Sequence, residues 1–481
     1  MANDINLLLL TDVYKMGHME QYVPGTNKVY SYLCARSNRS FPKAVFFGLQ
    51  YYLQKYLSQP ITPEHAEEFL TTRAAILGGN SPEVETKIRA LGALGYLPIE
   101  IKAVEEGTIL PVKNVLMTIT NTHPDFYWIV GFVESLLLKL WYPITVATGC
   151  LTYREVVEAA FNETVDEDMF FLKDFAVHDF GYRGDASEEG AAISGAAHLL
   201  SFLGSDTVPT FAFAVKHYNA DTTQPIMLSV PASEHSVMCS FGRDGELDAY
   251  RNMLSLYPSG IVSIVSDTYD IWNVLTHFAA ILKEDILARD GKVVFRPDSG
   301  NPELIICGNP EAPEGSPENK GCVRLLDEMF GSTINKNGYK VLNPKVGLIY
   351  GDGMYLDRYK RTLARLKEMG YAATNLVIGV GGILRNHTRD TLGFAIKATY
   401  VQVGEEQRDI EKDPITDPGK KSLKGLLSLH KDADGNYFTK DQCTWDEEKE
   451  GLLKPVFRDG KLLRLSQFNQ IRNLVASTVG V

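Results

Sequence analysis

Six stretches of this chain end an apolar run on residues that can hold an anion or move a proton. They are HDFGYRG (178–184), SVPASEHS (229–236), SDTYD (266–270), RPDSGNP (296–302), GDG (351–353) and GVGG (379–382). Arg183, Arg296 and, further on, Arg389 bring planar guanidinium forks, and the Gly-rich turns bring free backbone N–H groups. Both kinds of donor match phosphate or diphosphate oxygens. The carboxylates beside them suit ribose hydroxyls or a magnesium ion, which takes oxygen ligands and shares them with substrate phosphates. A cleft so equipped fits a sugar phosphate, and above all the stabilisation of a departing anion.

Each group taken singly also has a plain structural reading. Asp267 and Asp298 can cap the helices that follow them. GDG and GVGG can be tight turns, since neither matches the dinucleotide fingerprint and no Walker sequence is present. His235 can be a satisfied core histidine. Capping and turns do not account for Arg183, Arg296 and Arg389 falling at the same face, and the joint placement favours a site.

The elements that must position these groups alternate from about residue 170 to 390. Strand-like runs at 175–178, 210–215, 226–230, 261–265, 293–295, 347–350 and 376–378 stand between helical stretches, notably 244–257, 269–288 and 356–369. Repeated βα units imply a parallel sheet, and seven or so imply a closed or nearly closed barrel with its active site at the carboxyl face. The weak helical signal between the second and third runs predicts an irregular barrel. Before residue 170 the pattern is mixed: a strand at 27–33, a helix at 44–57, strands within 97–122, then helices at 125–141 and 145–164 with a break at Pro143. After 390 come a strand at 394–403, a basic loop at 412–425 and hairpin turns at Asp434–Gly435 and Asp459–Gly460. The similar texture of the two ends predicts that they form one α+β domain.

Composition narrows the function. With 481 residues, 44% hydrophobic and 22% charged, the chain is a globular protein of more than one core. A net charge of −12 argues against nucleic acid as a partner. Six scattered cysteines without a CxxC pair fit reduced thiols rather than disulfides or zinc, and so a cytoplasmic setting. The start lacks a signal-peptide pattern, and the longest apolar segment, 127–144, carries Glu134 and Lys139 and reads as a buried helix, not a membrane span. The Pro/Gly/Glu-rich segment 308–320 reads as an exposed insertion without chemistry.

The motifs in their order, joined by TDVYKMGH (11–18), WYPITVAT (141–148), GSDTV (204–208), TRD (388–390), KDP (412–414) and SLKG (422–425), resemble the nicotinamide phosphoribosyltransferases, a family of type II phosphoribosyltransferases. The resemblance implies an irregular α/β barrel (166–390) with an α+β domain built from both chain ends (1–165 and 391–481). It implies a homodimer with active sites at the subunit interface, making nicotinamide mononucleotide and diphosphate from nicotinamide and phosphoribosyl diphosphate in NAD salvage, with Mg2+ and ATP. Carried over by motif, Phe180 and Tyr14 would sandwich the pyridine ring, Tyr14 coming from the second subunit. Asp206 would accept the carboxamide NH2 and repel nicotinate. Arg183 and Arg296 would flank the ring and ribose phosphate, and Asp298 would hold ribose hydroxyls. Tyr182, Ser229, Ser263, Gly351, Asp352, Gly381 and Arg389 would complete the substrate site. His235 would be phosphorylated by ATP, with Asp267 and Asp298 as its catalytic companions, while Arg36, Lys412 and Lys420 would contact phosphates. The chain departs from the family in the shorter IGVGG turn, in Cys34 where an acid is expected, and in the insertion near 308–320. Nicotinate phosphoribosyltransferase is the nearest rival reading; a non-catalytic signalling protein and a phosphate-binding barrel isomerase are more distant ones.

Overall fold

The computed structural model describes residues 5–37 and 39–479. The chain divides into two compact units. One gathers Gly149–Phe213 and Thr222–Asn386; the other gathers the chain up to Thr148 with Ala214–Asp221 and His387–Thr478.

The first of these is built on five parallel strands: β1 (Val177–Asp179), β2 (Ser259–Val265), β3 (Asp290–Arg296), β4 (Val346–Tyr350) and β5 (Val377–Val380), in the spatial order β1-β5-β4-β3-β2. Parallel strands covered on both faces are rich in β-branched residues, and the register sets Val262 against Val293, Ile264 against Phe295 and Ile378 against Val177. Single parallel bridges close the ring. Asp179 pairs with Ser205, Gly204 with Leu228, and Ala232 with Ser263. Segments 203–206 and 228–232 thus take two strand places in an irregular seven-membered barrel, as the sequence predicts.

One expected strand is a helix. Residues 210–215 read as an apolar strand-like run, yet they lie in the helix Pro209–Tyr218. Proline at a first helical position is pre-organised for a helix, and the buried positions Thr210, Phe213, Ala214 and Tyr218 follow helical spacing while Phe211 is exposed. The vacant place in the ring goes to 203–206. The expected helices are found at Glu246–Leu256, at Leu356–Glu368, and from Ile271–Asn273 through a π turn at Val274–Phe278 to Lys283–Ala288. Within 308–320 the loop ends early: Ser316 caps a helical stretch over Pro317–Phe330, kinked at Gly321, by accepting from the Asn319 N–H.

The other unit holds a seven-stranded antiparallel sheet drawn from both chain ends. Its order is Glu406–Asp409, Ala395–Val403, Thr26–Cys34, Val115–Asn121, Ile99–Ala103, Lys454–Arg458, Lys461–Leu462. The helix expected over 44–57 begins only at Leu49, because Lys43–Val45 pairs with Ile109–Pro111 and Gly48 turns the chain at a φ of 104°. The buried Glu106 carboxylate then accepts the N–H groups of Gly48 and Gln50 at 2.9 and 2.6 Å. Pro143 breaks nothing: it sits in the first turn of the helix Trp141–Thr164, where a missing N–H costs no bond. The stretch Pro124–Thr164 is apolar and long enough to cross a membrane by composition, but 61% of its most apolar window is buried inside the protein.

Candidate active site

The strand-end motifs converge on the carboxyl edge of the barrel. β1 delivers Phe180, whose N–H is held by the Val380 carbonyl at 2.8 Å. Its ring lies over Gly379, where any Cβ would overlap it. The His178 ring packs at 5.0 Å from that of Phe180, and the Arg296 guanidinium stands 6.0 Å from the Phe180 centroid, within cation–π range. An aromatic face with a cation beside it results.

Asp206 reaches the same place from segment 203–206. Its Oδ1 lies 3.1 Å from His178 Nε2 and accepts the Ser229 hydroxyl. Burial pushes the Asp206 carboxyl up, but the His178 contact outweighs it and holds the group below the usual carboxylate range, so it is ionised. Ser263 is buried on β2 and ties in the segment before His235: its N–H donates to the Pro231 carbonyl at 2.9 Å, and its own carbonyl accepts the Ser233 N–H at 3.0 Å.

His235 opens the short helix His235–Cys239, with its Nε2 3.1 Å from Asp267 Oδ1. The His235 side chain is 47% exposed and that of Asp267 only 6%. Asp267 and Asp298 are not helix caps: the caps are Asp270, which accepts the N–H groups of Trp272 and Asn273, and Asn301, which accepts that of Glu303. Burial pushes the Asp298 carboxyl above its ordinary value; Arg296 opposes this, and Asp267 and Asp352 reinforce it. Gly351 makes room, since a Cβ there would lie 2.5 Å from Asp298 Oδ1. Arg296 gives Nη2 to the Ser233 carbonyl at 3.1 Å, while its Nε is buried without a partner among the described residues.

Tyr182 and Arg183 are exposed on the single turn Tyr182–Gly184, and the Tyr182 hydroxyl donates to Glu188. That turn abuts the loop after β5: a Cβ on Gly184 would stand 3.0 Å from the Cα of Gly382, next to Gly381. Asp352 is exposed beyond β4. No group of three or more His, Cys, Asp or Glu among the described residues is arranged to hold a metal alone.

The remaining sequence-predicted residues belong to the other unit. Tyr14 is exposed, with its ring 5.1 Å from that of His18. Arg36 donates Nε to the Gly393 carbonyl at 2.9 Å, close to the loop bearing Arg389, which itself pairs with Asp390. Lys412 exchanges backbone and hydroxyl bonds with Ser422, and Lys420 pairs with Asp417 at 2.9 Å. Lys397, absent from the sequence reading, is a half-buried member of this group. Burial pushes its ammonium below the ordinary lysine value, Glu134 opposes, and the nearby Arg36 and Lys412 add to the lowering.

Sequence reasoning also passed over His178 and Arg385. His178 was visible in HDFGYRG, two residues from Phe180 and so on the same face of the strand. Arg385 carried no local signal; its importance comes from Asp179, far away in the chain.

A family model described as the nicotinate phosphoribosyltransferase (NAPRTase) family matches residues 175–461, and one for the N-terminal domain of nicotinamide phosphoribosyltransferase matches residues 6–73. The chain is 40% identical over 505 residues to the nicotinamide phosphoribosyltransferase of Acinetobacter baylyi, covering 99% of this chain and 98% of that one. It is 40% identical over 479 residues to that of Xanthomonas campestris, covering 97% of each. The fold is that of nicotinate-nucleotide pyrophosphorylase from Pyrococcus furiosus (TM-score 0.60, 15% identity, 100% and 97% coverage) and of human nicotinic acid phosphoribosyltransferase (TM-score 0.57, 17% identity, 98% and 93% coverage). Barrel, strand-end groups and matches together define a pentosyltransferase of the type II phosphoribosyltransferase fold. Within that class, the chain belongs to the nicotinamide phosphoribosyltransferase family.

Proposed function

We propose that this protein transfers the phosphoribosyl group of phosphoribosyl diphosphate to nicotinamide, releasing diphosphate, as a step of NAD salvage in the cytoplasm. The observation that carries the reading is Asp206, an ionised carboxylate 3.1 Å from the His178 ring that packs on Phe180. It accepts hydrogen bonds and offers none, so it favours the carboxamide NH2 of nicotinamide and repels the carboxylate of nicotinate. Ser229 and His178 hold its Oδ1 in place.

The chemistry follows from the bond that breaks. The C1–O bond of phosphoribosyl diphosphate opens as charge develops on the ribose, and the pyridine nitrogen attacks the same carbon. Stacking on Phe180, with Tyr14 of the second subunit of a homodimer on the other face, aligns that nitrogen. Arg296, whose buried Nε has no partner among the described residues, and Arg183 hold anionic oxygens. Asp298 holds ribose hydroxyls, and Gly351, Asp352 and Gly381 line the sugar and phosphates. Arg36, Arg389, Lys412 and Lys420 serve phosphates.

Among the described residues no hydrogen bond is donated to the half-buried Asp298, and the Asp352 carboxylate near it adds negative charge. This fits a hard cation completed by substrate oxygens, and Asp298 and Asp352 would hold Mg2+. Bound there, it would neutralise charge on the leaving diphosphate. His235 would be the residue that ATP phosphorylates; its half-exposed imidazole and its contact with Asp267 support that reading. A phosphorylated His235 at this rim would couple ATP hydrolysis to synthesis by changing the affinity for phosphoribosyl diphosphate.

Supplying the purified protein with phosphoribosyl diphosphate and each base in turn tests the reading. Nicotinamide mononucleotide and diphosphate are the expected products; turnover of nicotinate alone would replace it with the nicotinate enzyme.

A further inference from the structure

We infer that Arg385 is a positioning residue for the base slot, acting through Asp179 to lock together the three loops that carry Phe180, Asp206 and Gly381. The inference rests on the nicotinamide reading above and adds a specificity element to it.

Asp179 is fully buried at the end of β1, and its carboxylate is a hub. Oδ1 accepts the Gly181 N–H at 2.8 Å, the residue after Phe180. Oδ2 accepts the hydroxyls of Thr207 at 2.7 Å and Ser205 at 3.2 Å, the two neighbours of Asp206. The third spoke is Arg385, from the loop after β5: Nη1 lies 2.6 Å from Oδ1, and Nη2 donates to Oδ2 at 2.9 Å. Its Nε donates to Asp185 at 3.2 Å, and Asp185 accepts the Ser194 hydroxyl at 2.8 Å, anchoring the far end of the HDFGYRGD loop to the helix Glu188–His198. The Arg385 side chain is 2% exposed.

Two features separate this from a merely stabilising ion pair. The guanidinium lies so tightly against Gly181 that a Cβ there would overlap it, so the cation fixes the path of the chain at the residue following Phe180. Buried ion pairs also add little net stability compared with apolar packing, and their best-attested use is to select one arrangement. Here the arrangement selected sets Phe180 and Asp206 relative to one another. A lysine keeps the charge but lacks the fork that bonds two carboxylates at once.

The test uses the full-length protein with Arg385→Lys and, as a milder change that keeps every charge, Thr207→Val. Steady-state kinetics would be measured with each substrate varied, beside thermal unfolding. For Arg385→Lys the KM for nicotinamide should rise about 10-fold or more, with that for phosphoribosyl diphosphate changing less than about 2-fold. Thr207→Val should show the same split at about 3-fold. Discrimination against nicotinate should fall in both. If Arg385→Lys does not fold, Thr207→Val carries the test. Loss of kcat in proportion to the folded fraction, with KM values intact, would overturn the inference; wild-type protein that uses no nicotinamide would instead overturn the reading beneath it.

Discussion

Asp179 at the end of β1 and Asp298 just past β3 occupy equivalent places on the barrel, and the protein treats them in opposite ways. Burial would raise the Asp179 carboxyl, but Arg385 and the hydroxyl of Thr207 hold it well below the usual range, and it accepts from Gly181, Ser205, Thr207 and Arg385. Asp298 is raised by burial, with Arg296 offsetting it in part, and no N–H or O–H donates to it among the described residues. A carboxylate that accepts several buried donors sets the scaffold; one left wanting donors is available to a substrate. Sequence position alone does not tell them apart.

That contrast is open to attack from both sides. Asp298→Asn should lower kcat/KM by about 10²- to 10³-fold while the melting temperature stays nearly constant, as kinetics and calorimetry on the same preparation will show. A large stability loss with kinetics intact would reverse the assignment. Asp179→Asn should do the opposite first: it leaves Arg385 buried beside a neutral amide and should cost about 3–5 kcal/mol in urea unfolding.

A third test exploits His198, which sits below the hub with its Nε2 3.0 Å from the Gly204 carbonyl. Burial pushes its imidazole down to about 4 from 6.5, with Asp179 opposing and Arg385 adding to the lowering. In that window the unfolded chain binds a proton that the folded one refuses, so stability is full above pH 6.5 and is lost as pH falls toward 4. The shift corresponds to roughly 3 kcal/mol at about 1.4 kcal/mol per pH unit. His198→Gln should flatten the pH dependence of unfolding by about that amount, and an unchanged slope would remove His198 from the scaffold. The smallest expected effect lies at the open side: His235→Ala should abolish the enhancement by ATP, a change of a few-fold, while basal transfer continues. An ATP response equal to that of the wild type would end the proposed role of His235.

Much of this division was legible in the sequence, and the reasons for the rest are physical. The five strands announced themselves as short apolar runs, and their motifs fell at the right edge. Segment 203–206 did not, because a place in the ring held by single bridges needs no strand-length apolar run. The apolar run at 210–215 pointed to a strand until Pro209 and tertiary burial selected a helix. Asp267 and Asp298 were even candidates for caps, and only the structure hands that task to Asp270 and Asn301. The most instructive case is Arg385 against Arg389, four residues apart. The sequence favoured Arg389 for its motif, yet the barrel gives the buried carboxylate to Arg385, through a contact between residues 206 apart that no local pattern encodes.

The central claim, that the charge on Asp206 chooses the base, is tested most directly by a competition assay with equal nicotinamide and nicotinate on wild-type protein and Asp206→Asn. The wild type should form almost entirely the amide nucleotide, and the variant should shift the product ratio toward the acid nucleotide by about 10²-fold, the loss of one charge repulsion at close range. A product ratio unchanged by the substitution would contradict the account.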